Sequence, residues 1–391
     1  MRILQIIPSI SLVYGGPSQM VLGLSAALAT QGIDVTIITT DSNGDIGQPA
    51  LDVPLNQPIQ QDGYRIIYFR CSPFRRYKFS LSLLQWLNNH IEEFDLAHIH
   101  AIFSPVSTAA ATIARYRNLP YIMRPCGMLD PADLCKKKRL KLIYAALLER
   151  PNLAGAAAIH FTSKQEAKIS ERFGISTGKM SKPQDLIIPL GVQVTPDTIF
   201  LNSTVPQILF MSRIEPKKGL NLLLPALENI IAAGIKFNFV LAGSNPQDVE
   251  YERNIRLQIE ASPLAKCTTI AGFVTGDRKA ALLQNADLFV LPSYYENFGI
   301  AVAEAMAYGK PVVISDQVHI WEDIKQAEAG WVGPLEVEAI ASLIKIALLD
   351  ADERKRRGLN AKEYAKKYYS WDAIAQQTIQ AYQQITLNFA Q

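Results

Sequence analysis

The chain has 391 residues, 49% of them hydrophobic and 19% charged, which excludes a disordered segment and is too much for one core, so two or three domains are expected. Its net charge of +3 is modest and no recognition motif accompanies it, so nucleic acid is a weak candidate partner. Four scattered cysteines, Cys71, Cys126, Cys135 and Cys267, lack paired spacing; neither a zinc site nor a disulfide framework is indicated, and a reducing cytoplasm fits.

Met1-Arg2-Ile3-Leu4-Gln5-Ile6-Ile7-Pro8 reads as a first strand, Arg2–Ile7, and not as a secretion signal, because its apolar run is brief and ends at Pro8. No run of about 18 apolar residues follows that could span a membrane. Tyr14-Gly15-Gly16-Pro17-Ser18 then precedes a helical stretch, Pro17–Thr30. Gly15 and Gly16 would let the backbone approach a diphosphate or sugar closely, with the helix N-terminus adding favourable potential. The spacing is not Gly-x-Gly-x-x-Gly, which counts against a nicotinamide oxidoreductase.

Further strands are read at Val35–Thr40, Arg65–Arg70, Leu96–His100, Tyr121–Arg124, Ala157–Phe161 and Leu186–Ile188, with helices at Leu81–His90 and Thr108–Arg115. Such alternation predicts a parallel, doubly wound α/β sheet. His98-Ile99-His100 closes one strand and is read as one imidazole toward each face, with His100 at the carboxyl end. Arg124-Pro125-Cys126-Gly127-Met128-Leu129-Asp130-Pro131 leaves the next strand. Basic residues gather in this half at Arg75, Arg76 and Lys78, and at Lys136, Lys137, Lys138, Arg139 and Lys141. The second cluster runs into Leu142, Ile143 and Tyr144. It reads either as a basic amphipathic helix for an anionic membrane surface or as a core helix with solvated lysines.

A first domain is therefore expected over 1–193, a polar linker over 194–206, a second domain over 207–370 and a helical tail over 371–391. The second domain's strands are Ile208–Met211, Phe237–Ala242, Thr269–Ala271, Leu288–Leu291, Val312–Ser315 and Gly330–Val332. Ligands bind at the carboxyl ends of such strands, so the active site is expected in the cleft between domains. After the first of these strands, Ser212-Arg213-Ile214-Glu215-Pro216-Lys217-Lys218-Gly219 offers a guanidinium and an ammonium to a diphosphate. Gly243 ends the second strand and is read as leaving room for a nucleotide. Gly272-Phe273-Val274 follows the third, and by itself Phe273 can be read as ordinary core.

The most informative stretch is Glu296-Asn297-Phe298-Gly299-Ile300-Ala301-Val302-Ala303-Glu304, running on to Gly309-Lys310-Pro311-Val312-Val313. A strand feeds a glycine turn that opens an Ala-rich helix. The amides of Phe298, Gly299 and Ile300 then form an anion cradle at the helix N-terminus, bracketed by Glu296 and Glu304.

This segment resembles the nucleotide-sugar site of retaining glycosyltransferases of family four, which fold as two facing Rossmann-like domains, the GT-B architecture. The resemblance covers nearly the whole chain and is strongest from Ile208 to Val332. It implies that Glu304 holds the ribose, Glu296 meets the transferred sugar, and Arg213 and Lys218 bind phosphate. It further implies that Gly243, Phe273 and Val274 hold the nucleotide, that His100 bonds the sugar, and that Arg124, Gly127, Met128 and Asp130 lie on the acceptor side. Cys126 stands where relatives often carry a larger basic residue, and Leu190 where many carry Asn. The expected activity is metal-independent hexose transfer, UDP-glucose being the first candidate donor, to a saccharide or lipid-linked saccharide. A sugar-nucleotide epimerase or sucrose-type synthase, and a non-catalytic nucleotide-sugar-binding protein, are the alternatives.

Overall fold

The computed structural model of the chain describes residues 1–11, 13, 15–44, 48–72, 78–129, 144–171, 184–195 and 205–389. It divides into two compact units, Met1–Gly191 with Trp371–Gln391, and Val192–Ser370. Tyr14, Arg75, Arg76, Asp130 and the basic cluster from Lys136 to Lys141 lie outside the described residues. Among the described residues, no helix is long and apolar enough to cross a membrane.

The first unit holds β1 (Arg2–Ser9), α1 (Gly16–Thr30), β2 (Asp34–Thr40), β3 (Pro58–Gln61), β4 (Tyr64–Phe69), α2 (Leu81–His90), β5 (Leu96–His100), α3 (Pro105–Tyr116), β6 (Tyr121–Arg124), α4 (Arg150–Gly155), β7 (Ala158–Phe161), α5 (Lys164–Glu171) and β8 (Gln184–Ile187). Its strands form one sheet in the order β3-β4-β2-β1-β5-β6-β7-β8. Only β3 runs antiparallel to its neighbour among the described strands. Both faces are covered, so β1 is an almost unbroken apolar run and not an alternating one. Leu4, Ile6 and Ile99 pack with Leu83, Leu87, Val106 and Ala110 on one side. Ile3, Ile7 and Val35 pack with Met20, Leu24 and Leu28 on the other.

Two local departures from the sequence reading have plain causes. Helix α3 starts at Pro105, ahead of Thr108, because proline in a first helical turn loses no internal hydrogen bond. Strand β3 escapes the reading because its side chains are mostly exposed and carry no apolar alternation. Only the Asp62-Gly63 dipeptide signals its hairpin, with φ of 45° and 84°.

The second unit holds β9 (Gln207–Met211), α6 (Leu220–Ala232), β10 (Asn238–Ala242), α7 (Val249–Glu260), β11 (Thr268–Gly272), α8 (Gly276–Asn285), β12 (Leu288–Leu291), α9 (Ile300–Ala307), β13 (Val312–Ser315), α10 (Trp321–Gln326), β14 (Gly330–Gly333), α11 (Val337–Leu349) and α12 (Ala351–Tyr368). The sheet is parallel, in the order β11-β10-β9-β12-β13-β14. Strand order reverses between β9 and β12, the topological position at whose carboxyl end open α/β sheets bind their ligands. In the first unit the equivalent reversal lies between β1 and β5.

Helix α13 (Trp371–Phe389) belongs to the first unit. Ile374, Ala375, Tyr382 and Ile385 complete the core on the α1 side of the sheet. Its first residue keys the docking: the Trp371 indole occupies the space that a Cβ on Gly23 or Gly191 would enter, at 2.3 and 2.1 Å.

Candidate functional site

The switch point of the second sheet is made of two loops. The loop after β9 ends in a short turn, Pro216–Lys218, followed by Gly219 at φ 76° and ψ 23°. The loop after β12 carries Glu296 and Asn297 and ends at Gly299, the N-cap of α9. Tyr294 N–H donates to the Lys217 carbonyl at 2.8 Å, and Asn221 Nδ2 donates to the Tyr294 hydroxyl at 2.8 Å, tying the loops together. A third loop, after β13, grips the backbone of Glu296: its N–H donates to Gln317 O at 3.1 Å, and His319 N–H donates to its carbonyl at 3.0 Å.

Gly219 is what allows this approach. A Cβ there would stand 1.9 Å from the Pro292 carbonyl oxygen on a left-handed backbone. Gly219→Ala should therefore cost at least about 2 kcal/mol of stability. Gly16→Ala, with nothing within 4 Å of the added carbon, should stay within about 0.5 kcal/mol. Urea denaturation of both variants checks the contrast; equal midpoints would remove the packing argument.

Within this frame Lys218 Nζ donates to Glu296 Oε1, and both side chains are largely enclosed. Ser293 Oγ donates to the same oxygen at 3.4 Å. Arg213 and Lys217 both lie near Glu215 Oε1, at 3.3 and 3.5 Å, with Arg213 more than half exposed. Glu304, on α9, pairs at 2.5 Å with Lys279 of α8. The start of α9 thus has two carboxylate–ammonium pairs beside it, one ahead of the helix and one within it.

Phe298 is buried with its ring edge-on to Tyr369 at 5.2 Å, so it can offer a ligand only its backbone. Ile300 opens α9 behind it. Gly243 has a structural cause the sequence did not reveal: a Cβ there would stand 1.8 Å from the Ser212 carbonyl. The glycine is required by the close approach of its neighbours, whatever binds there. Phe273 is 72% exposed, which removes the core alternative, while Val274 is buried beside it. His319 escaped the sequence reading. Burial pushes its pKa down to about 4 against the pull of Glu296, and the Tyr295 ring stands edge-on to it at 5.1 Å. Lys279 also escaped, because 25 residues separate it from Glu304 and no local pattern marks the pair.

In the first unit, Gly15 at φ 71° caps α1, and nothing lies within 4 Å of a Cβ built on it or on Gly16. The backbone is open there. The reading of His98 and His100 is corrected: side chains two apart on a strand share a face, and the two rings stack at 4.4 Å. His100 is 0% exposed. It sits at the carboxyl end of β5, enclosed among the groups on the α1 side.

A directional chain of hydrogen bonds runs through it. The Ile188 carbonyl can only accept, so His160 donates to it from Nε2 at 2.8 Å and accepts at Nδ1 from His98 Nε2 at 3.2 Å. His98 Nδ1 then accepts from the Tyr382 hydroxyl at 2.7 Å, which accepts from Gln5 Nε2 at 3.1 Å. The remaining Gln5 oxygen accepts from His100 Nε2 at 2.6 Å. His100 Nδ1 is left without a hydrogen-bond partner. Burial, followed by the nearby Arg124 charge for His98 and His160, holds all three imidazoles well below their usual pKa; for His100, His98 comes next and then Arg124.

Arg124, assigned from sequence to the acceptor side, is only 2% exposed. Its Nη1 donates to Met20 Sδ at 2.5 Å, and burial lowers its pKa against the opposing pull of Cys126, Glu166 and Tyr382. The long polar side chain folds inward because the α1 side of the sheet holds polar groups there, which a sequence pattern cannot show. Gly127 N–H donates to Glu166 at 2.9 Å, and Met128 is partly exposed.

Two family profiles match, one described as Glycosyl transferase 4-like domain over residues 15–181 and one as Glycosyl transferases group 1 over 195–364. An uncharacterized glycosyltransferase of Methanocaldococcus jannaschii is 35% identical over 181 residues, a match that spans 45% of this chain and 44% of that protein. Phosphatidyl-myo-inositol mannosyltransferase of Mycobacterium leprae is 24% identical over 98% of this chain and 97% of its own length. Among solved structures, sucrose-phosphate synthase from Thermosynechococcus elongatus aligns with a TM-score of 0.76 at 22% identity, covering 99% of this chain and 100% of that one. Anabaena HepE in complex with UDP and glucose aligns at 0.73 and 18% identity, covering 98% of this chain and 100% of its own. Both likenesses concern the fold: two Rossmann-like units of the GT-B class.

Proposed function

We propose, from a second unit that matches the glycosyl transferases group 1 family over 195–364 and a first that matches the glycosyl transferase 4-like domain over 15–181, that the chain is a retaining hexosyltransferase using a nucleoside diphosphate sugar. The observation that carries the reading is the pair of enclosed carboxylate–ammonium contacts, Lys218–Glu296 and Lys279–Glu304, on either side of the α9 N-terminus. UDP-glucose is the first donor to try, supported by the UDP and glucose bound to HepE; a mannosyl donor is the next, supported by the mycobacterial relative's name. A saccharide or lipid-linked saccharide at an anionic membrane surface is the proposed acceptor.

In this reading the C1–oxygen bond to the diphosphate breaks as the acceptor hydroxyl attacks C1 from the same face. A diphosphate oxygen takes the acceptor's proton. Lys218, Arg213 and the amides at the start of α9 stabilise the departing charge, so no metal ion is required of the mechanism. Glu296 meets sugar hydroxyls and Glu304 the ribose.

A panel of UDP- and GDP-hexoses, scored for diphosphate release, tests the function; no release from any donor, with or without saccharide acceptors, would overturn it. The carboxylates should separate by role. Glu304→Gln should raise the dissociation constant of the free nucleotide by about tenfold, one charge-assisted hydrogen bond. Glu296→Gln should leave that constant within about twofold and lower the transfer rate. Identical profiles for the two variants would refute the division.

A further inference from the structure

We infer that Lys279 is a positioning residue that fixes the Glu304 carboxylate for recognition of a ribose diol, and so sets the preference of the site for ribonucleotides. This inference rests on the proposed nucleotide-sugar reading and deepens it.

Lys279 lies in the first turns of α8, whose start follows Gly272-Phe273-Val274 by a single residue, Thr275. One short segment therefore presents an exposed aromatic ring, a buried valine and an ammonium in succession. The ammonium reaches across to α9 and donates to Glu304 Oε1 at 2.5 Å, with the side chains 29% and 19% exposed. The helix backbone holds the lysine in place, since its N–H donates to the Thr275 carbonyl at 3.3 Å.

A glutamate on a helix face has three rotatable bonds, and a diol can be gripped by a carboxylate only in a narrow range of orientations. Fixing one oxygen with an ammonium leaves the other to accept from the hydroxyls. The lysine also neutralises a carboxylate that would otherwise repel the diphosphate nearby. The same arrangement fails for a deoxy sugar, because a site built to meet hydroxyls leaves its polar groups unpaired when they are missing.

The test compares UDP and GDP with their 2′,3′-dideoxy counterparts by calorimetry on the full chain. Wild type should prefer the ribonucleotide of the tighter pair by at least about tenfold. Lys279→Met should bring that preference down to the level of Glu304→Leu while leaving dideoxy affinity within about twofold, and Lys279→Arg should restore it. Full preference in Lys279→Met would reduce the lysine to a surface ion pair. An equal loss for both sugars would mean a direct contact with phosphate. Either result overturns the inference but leaves the proposed function standing. Full preference in Glu304→Leu would instead remove the ribose assignment of Glu304 itself, and failure of wild type to bind any of the four probes would overturn the function and this inference together.

Discussion

Lys218→Met should lower turnover about 10²–10³-fold, the loss seen when one preorganised donor to a developing anion is removed. Lys218 is largely buried and bonded to Glu296, whereas Arg213 on the same loop is more than half exposed, so the arginine should matter less. Removing the lysine also leaves an enclosed carboxylate whose side chain keeps, among the described residues, the long contact from Ser293. Breaking one side of a buried pair costs about 3 kcal/mol or more. Stability and chemistry can be told apart with the double variant Lys218→Met, Glu296→Gln. It should recover most of the stability, because no unpaired charge remains, and none of the turnover. Denaturation midpoints and diphosphate release measured on the same preparations check both halves. If the double variant turned over as fast as wild type, the leaving-group role of Lys218 would be lost.

The second large effect is acid lability of the first unit. His98, His100 and His160 are fully buried and neutral, with folded pKa values well below the usual 6.5. In the unfolded chain they take up protons near pH 6.5, so below that pH the unfolded state binds more protons and stability falls. The contribution is complete above pH 6.5 and is lost as pH drops toward the depressed folded values. Each histidine contributes a slope of about 1.4 kcal/mol per pH unit, or about 4 for the three together. His319 adds a fourth slope in the second unit, ending near its folded value of about 4. Carboxylates with depressed pKa, such as Glu252, act only below their ordinary range near 4.5, while Glu149, whose pKa burial raises, binds its proton first in the folded state and offsets part of the histidine slope above that range. Urea midpoints should be flat from pH 8 to 7 and fall steeply from 6.5 to 5. A flat profile through that lower window would refute the buried neutral network.

Tyr382 explains why this network matters to the architecture. Its hydroxyl joins Gln5 of β1 and His98 of β5 to α13, so the last helix is bonded to the sheet as well as packed upon it. A buried polar chain of this kind is stabilising only while every link keeps its proton arrangement. Protonating His98 or His160 turns the nitrogen that accepts in the chain into a donor and breaks a link.

Much of the fold was legible because parallel sheets covered on both faces require apolar runs, and those runs recur with helices between them in both halves. The carboxyl-end loops were legible for a related reason: glycines and charged residues must interrupt such runs where the chain leaves the sheet. Arg213, Lys218, Glu296 and Glu304 could therefore be named from local pattern and family resemblance. What the pattern could not carry was partnership. Lys279 meets Glu304, His319 lies against Tyr295, and Trp371 fills the space over Gly23 and Gly191. Those contacts join residues far apart in the chain, where no periodicity constrains them. The period of two along a strand does dictate that His98 and His100 share a face; their burial, and that of Arg124, follows only from the helices that close over them. Sequence determined which residue types stand at the ends of the strands, because turn and cradle chemistry is local. Tertiary structure decided which of them face one another and which are enclosed, because desolvation and pairing depend on every element packed around a side chain.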